Sequence, residues 1–434
     1  MLRRLSLQGT ITDYSASELR DLLPRATFDV NAALHQIQPL LDDIAQRGTP
    51  AVTDAVARFD QVELERLRVD PAAIDAAVEK LEPARRRAYQ TAIDRVRQAH
   101  SAQRLPDIHT QVAPGGYITE RYVPVNRVGL YVPGGLAVLA SSVIMNAVPA
   151  QIAGVEQLAV TSPPQKDTGL PDEGILAVCG LLGLEEVYAV GGPAAVAMFA
   201  YGTDECDPVD MICGPGNIYV TAAKRAVRGL VGIDAEAGTT EIAIIADAEA
   251  NAAHVAADLI SQAEHDPAAA SVLITDSVAL ADAVDNELAK RVPLTKHHAR
   301  IHTALTGEQS GTIVVDDIDA AVRVADSYAA EHLEIHTVDA ADIAMRIRNA
   351  GAIFVGTYTP VSLGDYCAGS NHILPTGGCA RHSSGLSVHS FLRGIHVVNY
   401  SQSALAAVAE DVVTFANSED LPSHGEAVSV RFEA

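Results

Sequence analysis

The sequence predicts an α/β protein with two incomplete Rossmann-like domains, a helical N-terminal segment and a C-terminal arm. Three observations carry that prediction. From about residue 127, short apolar runs alternate with helical stretches, the pattern of a mostly parallel sheet. Several runs end in glycine or proline where a helix begins, at Pro133-Gly134-Gly135, Gly191-Gly192-Pro193 and Gly214-Pro215-Gly216-Asn217. The alternation then recurs in a second block of similar size, without a residue-level repeat, which predicts two related domains.

Taken in order, the N-terminal hundred residues are helical. Ala-rich periodic stretches run from Val30 to Arg47 and from Pro83 to Ala102, and Pro83 suits a first helical turn. A β-rich passage follows from Thr110 to Val132, turning at Gly115-Gly116. The first βα block has strands at Val128–Val132, Gln157–Thr161, Glu186–Val190, Asp210–Cys213 and Leu230–Asp234. The second has strands at Ser271–Thr275, Gly311–Val315, Leu333–Thr337 and Ala352–Val355, separated by helices at about 278–291, 319–328 and 340–349. Gly364 to Gly394, rich in Gly, Ser, Asn and Cys, reads as an ordered loop region, and the tail from Ser401 as one helix and a short strand.

Composition bounds the function. The chain has 434 residues and a net charge of −24, from 31 Lys and Arg against 55 Asp and Glu. A surface this acidic repels phosphates, which excludes nucleic acid and an anionic membrane surface as partners. With 4% aromatic residues and no Trp, stacking platforms for single strands are scarce as well. The most apolar window, Ala137 to Val155, is interrupted by Asn146, Pro149 and Gln151 and is not a membrane span. Arg3 and Arg4 have no apolar run behind them, so no signal peptide is expected. Five widely spread cysteines, an odd number, suit a reducing compartment, and the expected location is the cytoplasm.

Several groups could carry chemistry. Each glycine turn could receive a phosphate on helix N-terminal amides, but none is a G-x-G-x-x-G, and a tight strand-to-helix turn needs glycine anyway. Gln262 and His265, at i and i+3, share one face of a helix running from Ala252. An amide oxygen and an imidazole there can supply two metal ligands of the kind zinc accepts; a polar helix end is the plainer account. Glu331-His332 stands between a helix (Ala320 to Ala330) and an apolar strand (Leu333 to His336). Carboxylate and imidazole can act there as acid and base, or form an exposed polar pair at an element boundary. Cys367, His372, Cys379 and His382 imitate a zinc knuckle at a spacing that structural zinc sites do not favour. His298 and His302 lack the glutamate of H-E-x-x-H, and Cys379, followed by Arg381 and His382, is a minor nucleophile candidate.

Taken together, these segments are similar to the histidinol dehydrogenase family, which ends histidine biosynthesis. The resemblance rests on Ile233-Asp234-x-x-Ala237-Gly238-x-Thr240-Glu241, on Asp258 through His265 (DLISQAEH), and on Ala330-Glu331-His332-Leu333-Glu334. Gly364-Asp365-Tyr366-x-x-Gly369-x-Asn371-His372-x-Leu374-Pro375 extends it, as do Gly129 through Gly135 and Gly214 through Asn217. It runs in register from about residue 20 to the end.

What the resemblance implies is a four-electron oxidation of L-histidinol to L-histidine through a bound aldehyde, with two NAD reduced in succession. It implies one Zn2+ per subunit on Gln262, His265, Asp365 and His424, the last from the neighbouring subunit of a domain-swapped homodimer. His332 becomes the base of both oxidations and Glu331 the activator of the water that adds to the aldehyde. Thr240 and Glu419 match substrate-contacting positions, and Tyr131 and Asn217 match positions that touch NAD. The metal ligands and His332 also count as substrate contacts.

The expected partition is an N-terminal arm over 1–26, a metal and catalytic domain over 27–130 plus 240–382, an NAD domain over 131–239, and a shared C-terminal segment over 383–434. Two positions depart from the family pattern: Ala194 stands where a glutamine is expected among the NAD contacts, and Thr239 where proline is usual. The rival readings are a related Zn- and NAD-dependent dehydrogenase of another polar alcohol and, from a different class, a zinc hydrolase.

Overall fold

The computed structural model describes residues 2–26, 29–134, 138–236 and 238–433. Gly135 of the first glycine turn, Ala237 of the Thr240 motif and Ala137 of the apolar window lie outside these residues. The chain opens with β1 (Arg3–Ser6) and returns to strand at β2 (Ile108–Ala113) and β3 (Gly116–Pro124). Between them the helices form where capping and periodicity agree. Asp29 accepts the Ala32 N–H at 2.9 Å to start the helix Val30–Arg47. Its buried positions Ala33, Ile37, Leu41 and Ile44 follow the helical period, and Gly48 at φ 61° ends it.

Helices Thr49–Phe59 and Pro71–Lys80, each with a proline in its first turn, fall within the expected helical N-terminal hundred residues. The helices between residues 30 and 101 pack on Ala140–Ala153, Glu173–Leu181, Gly192–Tyr201 and Ile218–Val227. They therefore clothe the first βα block. The window Ala137 to Val155 is largely this Ala140–Ala153 helix, buried on nearly all sides and ended by Gly154 at φ 91°.

The first block forms a five-stranded sheet of β4 (Arg127–Tyr131), β5 (Gln157–Thr161), β6 (Val187–Tyr188), β7 (Met211–Cys213) and β8 (Gly232–Ile233). All pairs are parallel, in the order β6-β5-β4-β7-β8. The second block gives β9 (Glu241–Ala246), β10 (Ala270–Thr275), β11 (Gly311–Val314), β12 (His332–His336) and β13 (Ala352–Val355). Its parallel order is β1-β11-β10-β9-β12-β13. Counted from its own first strand, each sheet runs 3-2-1-4-5, the doubly wound order without its sixth strand. Strand β1 extends the second sheet beyond β11. The topological switch points are β4/β7 and β9/β12.

Residues 104–125 and 391–434 form a second compact unit. In it β14 (Leu392–Tyr400) pairs antiparallel with β3, and β3 with β2. The tail carries helices Gln402–Ala406, Ala409–Ser418 and Pro422–Ser429 instead of one helix and a strand. The strand precedes Ser401 because β14 finds a nine-residue partner in β3, a pairing that local sequence does not reveal. Among the described residues no helix is long and apolar enough to cross a membrane.

Candidate active site

A cavity of about 1160 Å³ opens where the two sheets of the first unit face each other. One wall comes from the carboxyl ends of β4 and β7: Tyr131, Pro133, Gly134 and Gly214-Pro215-Gly216-Asn217, with Gly192-Pro193 beyond β6. The other includes Thr240, His265, Glu331 and His372. Thr240 and Glu331 lie before β9 and β12 begin, so the second sheet offers its amino edge. Open α/β sheets ordinarily bind at the carboxyl edge, which only the first sheet does here.

The carboxylate–imidazole pair is buried, not an exposed boundary pair: Glu331 is 6% and His332 5% exposed. The helix Ile318–Tyr328 ends earlier than expected, at Ala329 with φ 51°, and His332 already begins β12. The backbone of Glu241 holds both side chains. Its N–H donates to Glu331 Oε2 at 2.9 Å, and its carbonyl lies 3.2 Å from His332 Nδ1. A carbonyl can only accept, so Nδ1 donates, and in the neutral imidazole Nε2 presents its lone pair. That Nε2 is buried without a hydrogen-bond partner and lies 4.0 Å from Asp365 Oδ1. Behind the pair, burial pushes the Glu241 carboxyl up to about 7, against the pull of Arg25 with Nη2 at 3.4 Å.

Gln262 and His265 do not share a helical face, because the helix Ala252–Ala263 ends between them. Gln262 is 1% exposed and donates through Nε2 to Thr240 Oγ1 at 2.8 Å. That bond fixes the amide and leaves its carbonyl oxygen without a hydrogen bond among the described residues. Asp365 sits in the helix Val361–Tyr366, whose Gly364 packs on the Phe354 ring where a Cβ would collide. A free amide oxygen, the His265 imidazole and the Asp365 carboxylate are the donor types zinc accepts, and they fit a metal. Alone they leave its shell open.

His372, named in the sequence within the zinc-knuckle look-alike and the resemblance motif but given no role, belongs to this site. Its Nδ1 lies 3.0 Å from the Asp365 carbonyl and its Nε2 3.3 Å from Ser142 Oγ. Burial holds its pKa down, with His332 and His265 adding to that and Asp365 opposing it. A buried group of three joins the elements around the site: His336 Nε2 is 3.2 Å from Glu334 Oε2 and 3.7 Å from Asp258 Oδ2. Glu334 also receives the Val361 N–H at 2.6 Å, so it ties β12 to the helix that carries Asp365.

On the opposite wall Tyr131 is buried and its hydroxyl accepts the Gly192 N–H at 3.2 Å. Asn217 caps the helix Ile218–Val227, its Oδ1 accepting from Tyr219 at 3.0 Å and Val220 at 3.2 Å. Gly214, at φ 115°, lies where any Cβ would collide with the Tyr131 carbonyl. The buried pair Lys224–Asp234, which sequence reasoning missed, clamps this turn: Asp234 accepts the Gly214 N–H at 2.8 Å and Lys224 donates to the Gly214 carbonyl at 3.1 Å. Ala194 faces the apolar core, not the cavity, and Thr239 lines the cavity. Glu419 and His424 belong to the second unit, where both are exposed at the ends or within its last helices.

Comparison with known proteins names the class. The histidinol dehydrogenase family profile matches residues 23–432. A histidinol dehydrogenase from Nocardia farcinica is 60% identical, covering 100% of this chain and 98% of its own. One from Streptomyces avermitilis is 59% identical with the same coverage, 100% and 98%. The crystal structure of the histidinol dehydrogenase from Elizabethkingia anophelis matches with a TM-score of 0.91 at 30% identity, over 99% of this chain and 98% of that one. The fold is thus that of an oxidoreductase of amino-acid biosynthesis. The chain belongs to the histidinol dehydrogenase family and acts in histidine biosynthesis.

Proposed function

We propose that the protein is a Zn2+- and NAD-dependent dehydrogenase that oxidises L-histidinol through L-histidinaldehyde to L-histidine. The observation that carries this reading is His332: its Nδ1 is pinned by a carbonyl and its buried Nε2 is left as a bare base. When bound, NAD+ supplies the hydride acceptor of both oxidations, and Zn2+ holds the substrate through its imidazole and amine. Gln262, His265 and Asp365 would hold the metal, with His424 of the partner subunit as fourth ligand. Tyr131 and Asn217 would contact the dinucleotide, Thr240 and the partner's Glu419 the substrate.

The chain's own groups account for the protons. His332 Nε2 takes the hydroxyl proton as hydride leaves the carbinol carbon. That proton passes to solvent, freeing Nε2. Glu331 takes a proton from water as its oxygen adds to the aldehyde, and the gem-diol then gives up hydride while Nε2 takes its hydroxyl proton. One histidinol, one water and two NAD+ become histidine, two NADH and released protons, which balances the four electrons. Preorganisation of the pair on the Glu241 backbone means no side chain has to move between the steps.

In this reading the protein is a cytoplasmic homodimer with shared sites. Incubation with Zn2+, L-histidinol and NAD+ is expected to yield two NADH per histidine at 340 nm. No NADH formation, with histidinol consumed or not, overturns it.

A further inference from the structure

The cavity contains a carboxylate for which the reaction has no use. Asp60 caps the C-terminal end of the helix Thr49–Phe59 and lines the cavity together with Arg58, Phe59, Tyr131 and Pro163. Among the described residues its side chain makes no hydrogen bond or ion pair, and Arg58 turns to the Phe59 ring instead, 4.9 Å from its centroid. Burial pushes its pKa up to about 6, the sign of a desolvated charge with no compensation. A helix C-terminus repels a carboxylate as well. The position is thus unfavourable twice over, and nothing in the fold gains from it.

A ligand can supply what is missing. A carboxylate offers two acceptor oxygens and no donor, which matches a vicinal diol and rejects a phosphate. In doubly wound dinucleotide sites an acid after the second strand takes the ribose 2′-hydroxyl. Here the second strand, β5, runs into Thr161-Ser162-Pro163 and offers no acid. Hydride transfer must take place beside Glu331 and His332, and the glycine turns after β4, β6 and β7 offer amides to a pyrophosphate. The adenosine half then lies on the side of the five-stranded sheet, where Asp60 stands.

We propose that Asp60 receives the 2′- and 3′-hydroxyls of the adenosine ribose and, by repelling a 2′-phosphate, sets a preference for NAD+ over NADP+. This rests on the reading that NAD+ occupies the cleft. The acid comes from an N-terminal helix in place of the β5 end.

The test is calorimetric binding to the Zn2+-loaded protein, with Asp60→Asn and Asp60→Ser beside the wild type. The probes are NAD+, NADP+, 2′-deoxy-NAD+ and nicotinamide mononucleotide. The wild type is expected to bind NAD+ at least about tenfold more tightly than NADP+ or 2′-deoxy-NAD+. Both variants should lose about tenfold or more for NAD+, lose the discrimination, and bind the mononucleotide as the wild type does. Equal NAD+ affinity in wild type and both variants, with melting curves showing all three folded, overturns the proposal and leaves the functional reading standing. A wild type that binds no NAD+ overturns both.

Discussion

At the scale of single residues, the site depends on which atom of a side chain is already committed. His332 Nδ1 is committed to the Glu241 carbonyl and Gln262 Nε2 to Thr240, so Nε2 of the one and the amide oxygen of the other are what remain. His332→Asn is therefore expected to lower kcat for both histidinol and histidinaldehyde by about 10²–10⁴-fold. Its bound zinc, measured by plasma mass spectrometry, should be unchanged; lost metal would mean that His332 acts through the metal shell. Asp60 makes a second prediction, in stability. Its pKa is raised on folding to about 6 from 3.8, so the folded state holds the proton more tightly than the unfolded one. Wild-type stability should fall as pH rises from about 4 through 6. Asp60→Asn should lack that fall and melt higher than the wild type at pH 7, whereas a lower melting point would show a hidden partner. The pair Glu331-His332 was legible in sequence because carboxylate and imidazole are adjacent. Asp60 was not, since Arg58-Phe59-Asp60-Gln61 gives no sign of a cleft assembled from strands far downstream.

At the scale of elements, the glycine turns were legible and their fastenings were not. A strand ending in Gly-Pro-Gly-Asn before a helix is local chemistry, whereas Lys224–Asp234 is visible only once β8 lies beside β7. Lys224→Met is expected to destabilise the protein by about 3–5 kcal/mol in urea titration, because Asp234 would be left buried and unpaired. The double variant Lys224→Met/Asp234→Asn should recover part of that loss; no recovery would show that Lys224 contributes through packing. Gly214→Ala combines a φ of 115° with the Tyr131 collision and should cost more than about 2 kcal/mol. The tail was misread for the same kind of reason. Its strand is chosen by β3 and not by its own alternation, and helices 402–406, 409–418 and 422–429 carry few buried residues to mark a period.

At the scale of the whole molecule, the two blocks were readable as related because both repeat strand and helix, and both sheets indeed run 3-2-1-4-5. Which layer the N-terminal helices cover was not readable, because amphipathic faces do not name their partners. If sites are shared between subunits, His424→Asn should bind zinc weakly. Mixing it with His332→Asn should restore part of the activity in verified heterodimers, and none if each site is built within one chain. The opposed edges of the two sheets carry a further consequence. In a parallel βαβ layer the helices run against the strands, so the Gly192–Tyr201 and Ile218–Val227 helices begin at the cavity, whereas Ala252–Ala263 and Ile318–Tyr328 end there. Helix starts are partially positive and helix ends partially negative. The slot is therefore polarised across its width before anything enters: one wall suits phosphates and the other suits cations. A dinucleotide and a metal-held imidazolyl alcohol would be sorted to opposite sides by the backbone alone, leaving the side chains to handle the proton.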